Sequence, residues 1–363
     1  EYPMQQGGGN DGRPYSFGRP SSGGSKAAYP CKSYGQGRIN PAYFYGVFDP
    51  NDMRRDVSIT MTGSNGKGVE KLIPFVPNSK AEGGGLTLNK WDENRQANPW
   101  VAAQRKSGIN GPYMRMSEVY LGYAEVCAAL GDVVTGKQYL KTVRERSFPQ
   151  GLADTDGFIA SFGNDLVRAI IEERGFEYAG EGDRRWTLIR SGYLPEDIKR
   201  IKDMTKAMMD GLATKGYYEF ENGNIISAYI WTKLVDAKTI YGHRLTAQCP
   251  MDKVNDPVLY PGWRGQKDNW EEMGLNYGNS APATNLAIKG LFEIVSEEEA
   301  ASLESQGYAK VNWGIDLVDY RDEYDKYLFW DYDYVSAPIY LWPFTPNVMA
   351  AGGFTNGYGF KQE

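Results

Sequence analysis

The sequence predicts a mainly α-helical protein in which helix pairs support a loop-rich, irregular part with short strands. Three observations carry this reading. Between residues 113 and 211, apolar side chains recur every three or four positions, the period of a helix with a buried face. Residues 1–112 instead hold Gly-rich runs such as Gln6-Gly7-Gly8-Gly9-Asn10, Ser21-Ser22-Gly23-Gly24-Ser25 and Glu82-Gly83-Gly84-Gly85, which punctuate a chain into loops. Residues 212–363 return to irregular order, with isolated strand and helix signals. One continuous domain is expected: a loop-rich segment with short strands over 1–112, a helical repeat block over 113–211, and an irregular C-terminal subdomain over 212–363 packed on the helices.

Taken in order, Tyr43-Phe44-Tyr45-Gly46-Val47-Phe48 and Val57-Ser58-Ile59-Thr60-Met61 read as short strands. The run Gly63-Ser64-Asn65-Gly66-Lys67-Gly68 is not a phosphate loop, because that motif needs Gly at 61 and Ser or Thr at 68, where Met61 and Gly68 stand. Met116, Val119, Tyr120, Tyr123, Ala124, Cys127 and Leu130 set a helix that ends at Gly131-Asp132, and a second follows over about 134–146, before Pro149. So brief a link predicts an antiparallel helical hairpin, with Tyr120, Ala124, Cys127, Leu140 and Val143 in its core. A third run, Leu166 to Tyr178, starts after Asn164-Asp165, either of which can cap it. A short helix holds Trp186, Leu188 and Ile189, and Pro195 suits the first turn of another that reaches Met209. Such pairs suggest a tetratricopeptide-type stack, although no clean repeat of about 34 residues recurs. Farther on, Ala228–Leu234 reads as a strand, and Ser296-Glu297-Glu298-Glu299 opens a helix with capping-box spacing. Trp186, Trp231 and Trp342 are expected in the core.

Composition excludes several functions. With 40 Lys+Arg against 46 Asp+Glu the net charge is −6, which argues against nucleic-acid binding. The single histidine, His243, rules out multi-histidine metal sites. Cys31, Cys127 and Cys249 have no zinc or disulfide spacing, and Cys127 reads as a small buried apolar residue. No run approaches the length of a membrane span. What stands out is the aromatic share, 13%, with 26 Tyr, the ring that best tolerates a wet surface.

Five pieces, in order, resemble one family, the SusD/RagB-like nutrient-binding lipoproteins of Bacteroidota. Tyr45-Gly46-Val47-Phe48-Asp49-Pro50-Asn51-Asp52-Met53-Arg54 is similar to its aromatic-flanked Phe-Asp followed by Asp-x-Arg. Arg115-Met116-Ser117-Glu118-Val119-Tyr120-Leu121-Gly122-Tyr123-Ala124-Glu125 resembles its Arg-x-x-Glu-x-Tyr-Leu-x-Tyr-Ala-Glu helix, with Tyr139-Leu140 and Val143-Arg144 matching the next. Glu173-Arg174, Glu177, Glu181-Gly182 and Arg184 resemble its Glu-Arg block, Trp342-Pro343-Phe344-Thr345-Pro346 its Pro-Ile-Pro turn, and Thr355-Asn356-Gly357-Tyr358 a worn form of its terminus. Thr187 departs from the acidic residue usual after the Trp. Nothing matches the family's N-terminal half with its lipidated Cys, so the chain is expected to be the C-terminal part of such a protein. The resemblance implies a SusD-like fold and a surface-exposed, lipid-anchored protein of the outer membrane. Such a protein captures an oligosaccharide, or less often a peptide, for a TonB-dependent transporter, with no catalysis and no cofactor.

Sugar rings stack on aromatic faces, while their hydroxyls need planar polar partners. Two clusters offer both: Tyr29, Tyr34, Tyr43 and Tyr45 in the loop-rich segment that the resemblance assigns to the ligand surface, and Tyr260, Trp263, Arg264, Asn269 and Trp270 in a long polar stretch. The bland alternative for each is a ring packed on the core. Glu173, Arg174, Glu177, Glu181 and Arg184, spaced three to four residues apart, read as an ion network that fixes helix register rather than as chemistry. The chief rival is a glycoside hydrolase with paired carboxylates. Its candidates, Asp316, Asp319, Asp322, Glu323, Asp325, Asp331 and Asp333, read more simply as a solvated face, with calcium as the other sharp reading and no EF-hand spacing. A scaffold that binds only a protein partner is the third class. No catalytic or metal-ligating residues are assigned.

Overall fold

A computed structural model describes residues 39–64, 70–73, 85–90, 112, 114–236, 284–319, 321, 340 and 345–353. Helix α1 (Arg54–Ser58) precedes the helical block. Arg115, in extended backbone, leads into α2 (Met116–Ala129), and Asp132 opens α3 (Val133–Glu145) by accepting from the Thr135 amide. With three residues between them, α2 and α3 fold back on one another. Leu121, Ala124, Leu140 and Val143 meet Ile159, Leu166, Ala169, Ile170 and Tyr178 in one apolar cluster. Each fully buried leucine contributes roughly 2 kcal/mol by area. Tyr120 packs half-buried at its edge, and Cys127 is buried outside it. The other expected apolar positions of α2 face outward: Met116, Val119, Tyr123 and Leu130 are exposed. The helix is apolar on two sides, and only one of them is covered by described residues.

A short helix, α4 (Thr155–Ala160), for which no sequence signal was read, is capped by Asp154. Asp165 caps α5 (Leu166–Glu177), and α6 (Asp183–Ser191) runs between glycines at 182 and 192. Pro195 lies in the first turn of α7 (Leu194–Lys215), which buries Leu194, Met208, Met209 and Leu212. Trp186 on α6 is 54% exposed, against the expectation that it is core, because that helix buries Thr187 and Leu188 instead.

The run at 43–48 is not a strand. Tyr43–Val47 is a π-helical turn. The Asn40 side chain accepts from the Ala42 and Tyr43 amides, and the Asn224 amide donates to the carbonyls of Tyr45, Gly46 and Phe48. These contacts satisfy backbone groups that a strand would have paired along its length. Gly46 is required there, since a Cβ would stand 2.5 Å from the Phe220 ring. The second expected strand begins as α1 and becomes β1 (Ile59–Thr60), which pairs antiparallel with β4 (Thr87–Leu88). Two further antiparallel pairs are β2 (Thr62–Ser64) with β3 (Glu70–Leu72) and β5 (Tyr217–Glu219) with β6 (Ile225–Ser227).

The largest sheet has the order β8-β7-β9, with β7 (Tyr229–Asp236) between β8 (Thr284–Lys289) and β9 (Ala309–Asn312), all antiparallel. One face, with Ile230, Leu286, Ile288 and Val311, packs on the main core beside Phe44, Tyr45, Phe48, Phe176, Met208 and Trp313. That core draws on all three sequence segments. Ser296 and Glu299 close the expected capping box on α8 (Glu297–Ser305). Among the described residues two short helices follow, α9 (Ile315–Asp319) and α10 (Pro346–Gly352). Asp316, read as part of a solvated acidic face, is fully buried on α9, while Asp319 is exposed.

Candidate ligand-binding face

The motif residues meet in a buried ionic cluster on α5. Glu173 accepts from Arg54 and from Arg144, both at 2.7 Å. Glu177 accepts from Arg54 at 3.1 Å, Arg115 at 2.5 Å and Arg146 at 2.6 Å. Glu181 pairs with Arg115 at 2.8 Å and with Lys90. Arg174 binds Asp183, and Arg184 joins Glu172 to Asp197. The sequence spacing suggested pairs on adjacent turns of one helix. The structure instead supplies the partners from other segments, so the cluster sets register between elements.

Its electrostatics are those of a scaffold. Burial pushes the Glu177 carboxyl up, but Arg54, Arg146 and Arg115 overcome it and hold it down to about 2. Burial likewise acts against the Asp197 carboxylate, yet Arg184 and Arg200 keep its pKa below the usual range. Within this cluster each of these charges is paired with a neighbour. Among the described residues no group of three potential ligands could hold a metal ion.

Of the sequence-predicted site residues, Tyr45 is fully buried, its ring edge-on to Phe292 and Trp313. Tyr43 is half-buried against the same core, and the Arg184 guanidinium lies 5.7 Å from its ring. Burial raises the Tyr43 hydroxyl pKa well above its ordinary value. Tyr45 serves as core and offers no face to a ligand, while Tyr43 is partly buried against the same cluster. Tyr29, Tyr34, Tyr260, Trp263, Arg264, Asn269 and Trp270 lie outside the described residues, as do Trp342, Cys31 and Cys249.

A different set of aromatics is gathered on the outer face of the β8-β7-β9 sheet. Side chains alternate along a strand, so Tyr229, Trp231 and Lys233 of β7 share this face. In register, Trp231 stands between Lys289 of β8 and Lys310 of β9. The Lys310 ammonium lies 4.5 Å from the Tyr229 ring centroid and 5.4 Å from that of Trp231. Across the sheet, Lys289 and Lys233 stand 5.7 and 5.8 Å from the ring of Tyr308, just before β9. Lys233 also donates to the Gln306 carbonyl at 2.7 Å.

Tyr229 is 37% exposed and Tyr308 half-buried, whereas Trp231 is buried. Its indole N–H has no acceptor among the described residues. Gly290, with φ +81°, ends β8 where a Cβ would meet that indole at 2.8 Å. Beside it, between β8 and α8, Lys289, Glu293, Val295, Glu299, Ser302 and Leu303 line an open cleft of about 220 Å³. The face thus combines ring surfaces, ammonium donors and a cleft rimmed by hydroxyl and carboxylate groups. Sequence reasoning identified β7 and expected Trp231 to be buried, as it is, but did not find the ring-and-lysine face around it. The alternation of Tyr229, Trp231 and Lys233 was the available signal; the flanking lysines follow only from strand register.

The profile of the SusD family matches residues 1–343. Over 160 residues the chain is 28% identical to the SusD-like protein P25 of Formosa agariphila, a match covering 44% of this chain and 26% of that protein. No solved structure matches at a significant level.

Proposed function

This chain belongs to the SusD family, and from that premise we propose that it takes part in cell-surface capture of an oligosaccharide for import. In this reading the ligand passes to a TonB-dependent transporter, and the parent protein is held at the outer membrane by a lipid anchor. No described helix is long and apolar enough to cross a membrane, which suits a peripheral role. The α2–α3 hairpin serves as a tetratricopeptide-type unit, and the protein performs no turnover.

The observation that carries the proposal is the outer face of the β8-β7-β9 sheet, where exposed Tyr229 and half-buried Tyr308 stand beside Lys289 and Lys310, which have no carboxylate partner among the described residues. Aromatic rings bind the apolar face of a pyranose, and the neighbouring donors and acceptors replace the water on its hydroxyls. The cluster Tyr260, Trp263, Arg264, Asn269 and Trp270 belongs to the chain segment that joins β7 to β8, so we keep it as a proposed contributor, together with Tyr29 and Tyr34.

Isothermal titration with oligosaccharides tests this. Affinity should lie in the micromolar to millimolar range, because an open platform buries little ligand. Tyr229→Ala should weaken binding about fivefold or more, the equivalent of about 1 kcal/mol, and Trp263→Ala with Trp270→Ala should add to that loss. Steady release of hydrolysis products by the purified protein would replace this reading with a glycosidase.

A further inference from the structure

We propose that this sheet face is built for acidic saccharides, bearing carboxylate or sulfate groups, with Lys289 and Lys310 as the residues that read the charge. The inference rests on the oligosaccharide-binding reading above and names its substrate class.

The chain has a surplus of carboxylates, 46 against 40 Lys and Arg, so an unpaired lysine does not reflect a shortage of partners. In the α5 cluster, arginines from separate segments all find carboxylates. On the sheet face the opposite holds. Among the described residues neither Lys289 nor Lys310 has a carboxylate within ion-pair distance, although Glu293 and Glu299 line the same cleft as Lys289. Both ammonium groups rest over aromatic rings instead. A ring face satisfies a cation more weakly than an anion does, so a carboxylate or sulfate can draw each lysine away and uncover the ring for the sugar.

The spacing suits a polymer. Lys289 and Lys310 flank Trp231 on opposite neighbouring strands, so their backbones lie two strand spacings apart, roughly 10 Å. An acidic glycan therefore meets two separate positive charges on this face, Lys310 beside the Tyr229 ring and Lys289 beside that of Tyr308. Glu299 is already engaged by Ser296 in the helix cap, which leaves Glu293 as the acceptor for sugar hydroxyls at the edge. Because either lysine binds an anionic group more strongly than a neutral hydroxyl, the face discriminates by charge.

The test is affinity electrophoresis of the whole chain through gels holding polygalacturonate, alginate, chondroitin sulfate or κ-carrageenan, set against amylose, laminarin, xylan and β-mannan. Retardation should occur in at least one acidic gel, exceed that in every neutral gel and weaken as salt is raised. Lys289→Met with Lys310→Met should lower that affinity at least tenfold at unchanged melting temperature, and the corresponding pair of arginines should restore it. Binding of a neutral glycan, unaffected by the methionine pair, would defeat the acidic selectivity while leaving oligosaccharide capture standing. Retardation in none of the eight gels would defeat both. Acidic binding that survives the methionine pair would show that these lysines do not read the charge. Equal binding to phosphatidylglycerol vesicles would mark a surface for any polyanion and overturn the saccharide assignment.

Discussion

Replacing Glu177 by glutamine removes a charge from the centre of the α5 cluster while keeping the side chain's shape. The carboxyl ordinarily titrates near 4.5 and here is held down to about 2 by Arg54, Arg146 and Arg115. A folded-state pKa below the unfolded value means that the unfolded chain binds the proton more readily. The contribution is therefore complete well above pH 4.5 and is lost as pH falls through about 2. At neutral pH it amounts to about 3 kcal/mol, and by about pH 3 it falls to about 1 kcal/mol, from roughly 1.36 kcal/mol per pKa unit. Glu177 is only 3% exposed, so solvent screens this little. Urea denaturation of wild type and Glu177→Gln at matched pH values reads it directly. The stability gap should be largest at neutral pH and shrink by more than half by about pH 3. Asp197, also held low, makes both proteins acid-sensitive, so the quantity to follow is the difference between the curves. A gap that stayed constant from neutral pH down to about pH 3 would refute the argument, because it would mean that glutamine costs packing rather than charge.

Three further expectations concern packing and capping. Gly46→Ala drives a methyl group into the Phe220 ring and should cost about 1–3 kcal/mol by calorimetry. Gly122→Ala, mid-helix with open space around it, should instead stabilise by about 0.5–1 kcal/mol. Ser296→Ala removes the acceptor for the Glu299 amide in the α8 capping box and should cost about 1 kcal/mol in the same measurement.

The helices were legible because their determinants are local. Asp132 and Asp165 cap α3 and α5 within three residues of the amides they bind, and the capping box at Ser296 is read at its own spacing. The turn at Tyr43–Val47 was misread because the Asn222 and Asn224 side chains that hold its carbonyls lie 176 to 179 residues away. The ionic block was recognised as structural, but its partners could not be deduced from helical spacing, since Arg54 reaches Glu173 across 119 residues. The same limit applied to the ligand face. Tyr43 and Tyr45 looked like loop aromatics only while their backbone was taken as extended, and the row Lys289, Trp231, Lys310 exists only once three distant strands are in register.

The ionic cluster also bears on the order in which this chain acquires its structure. The α2–α3 hairpin joins neighbours and can close early at little entropic cost, bringing Arg144 and Arg146 to Glu173 and Glu177 from 29 and 31 residues away, whereas the Arg54 contacts span 119 and 123 residues. Interactions that form so late are absent from the folding transition state. They are therefore expressed almost wholly in the rate of unfolding. Arg54 therefore acts as a kinetic brake, so that losing it should shorten the lifetime of the folded chain more than it delays folding.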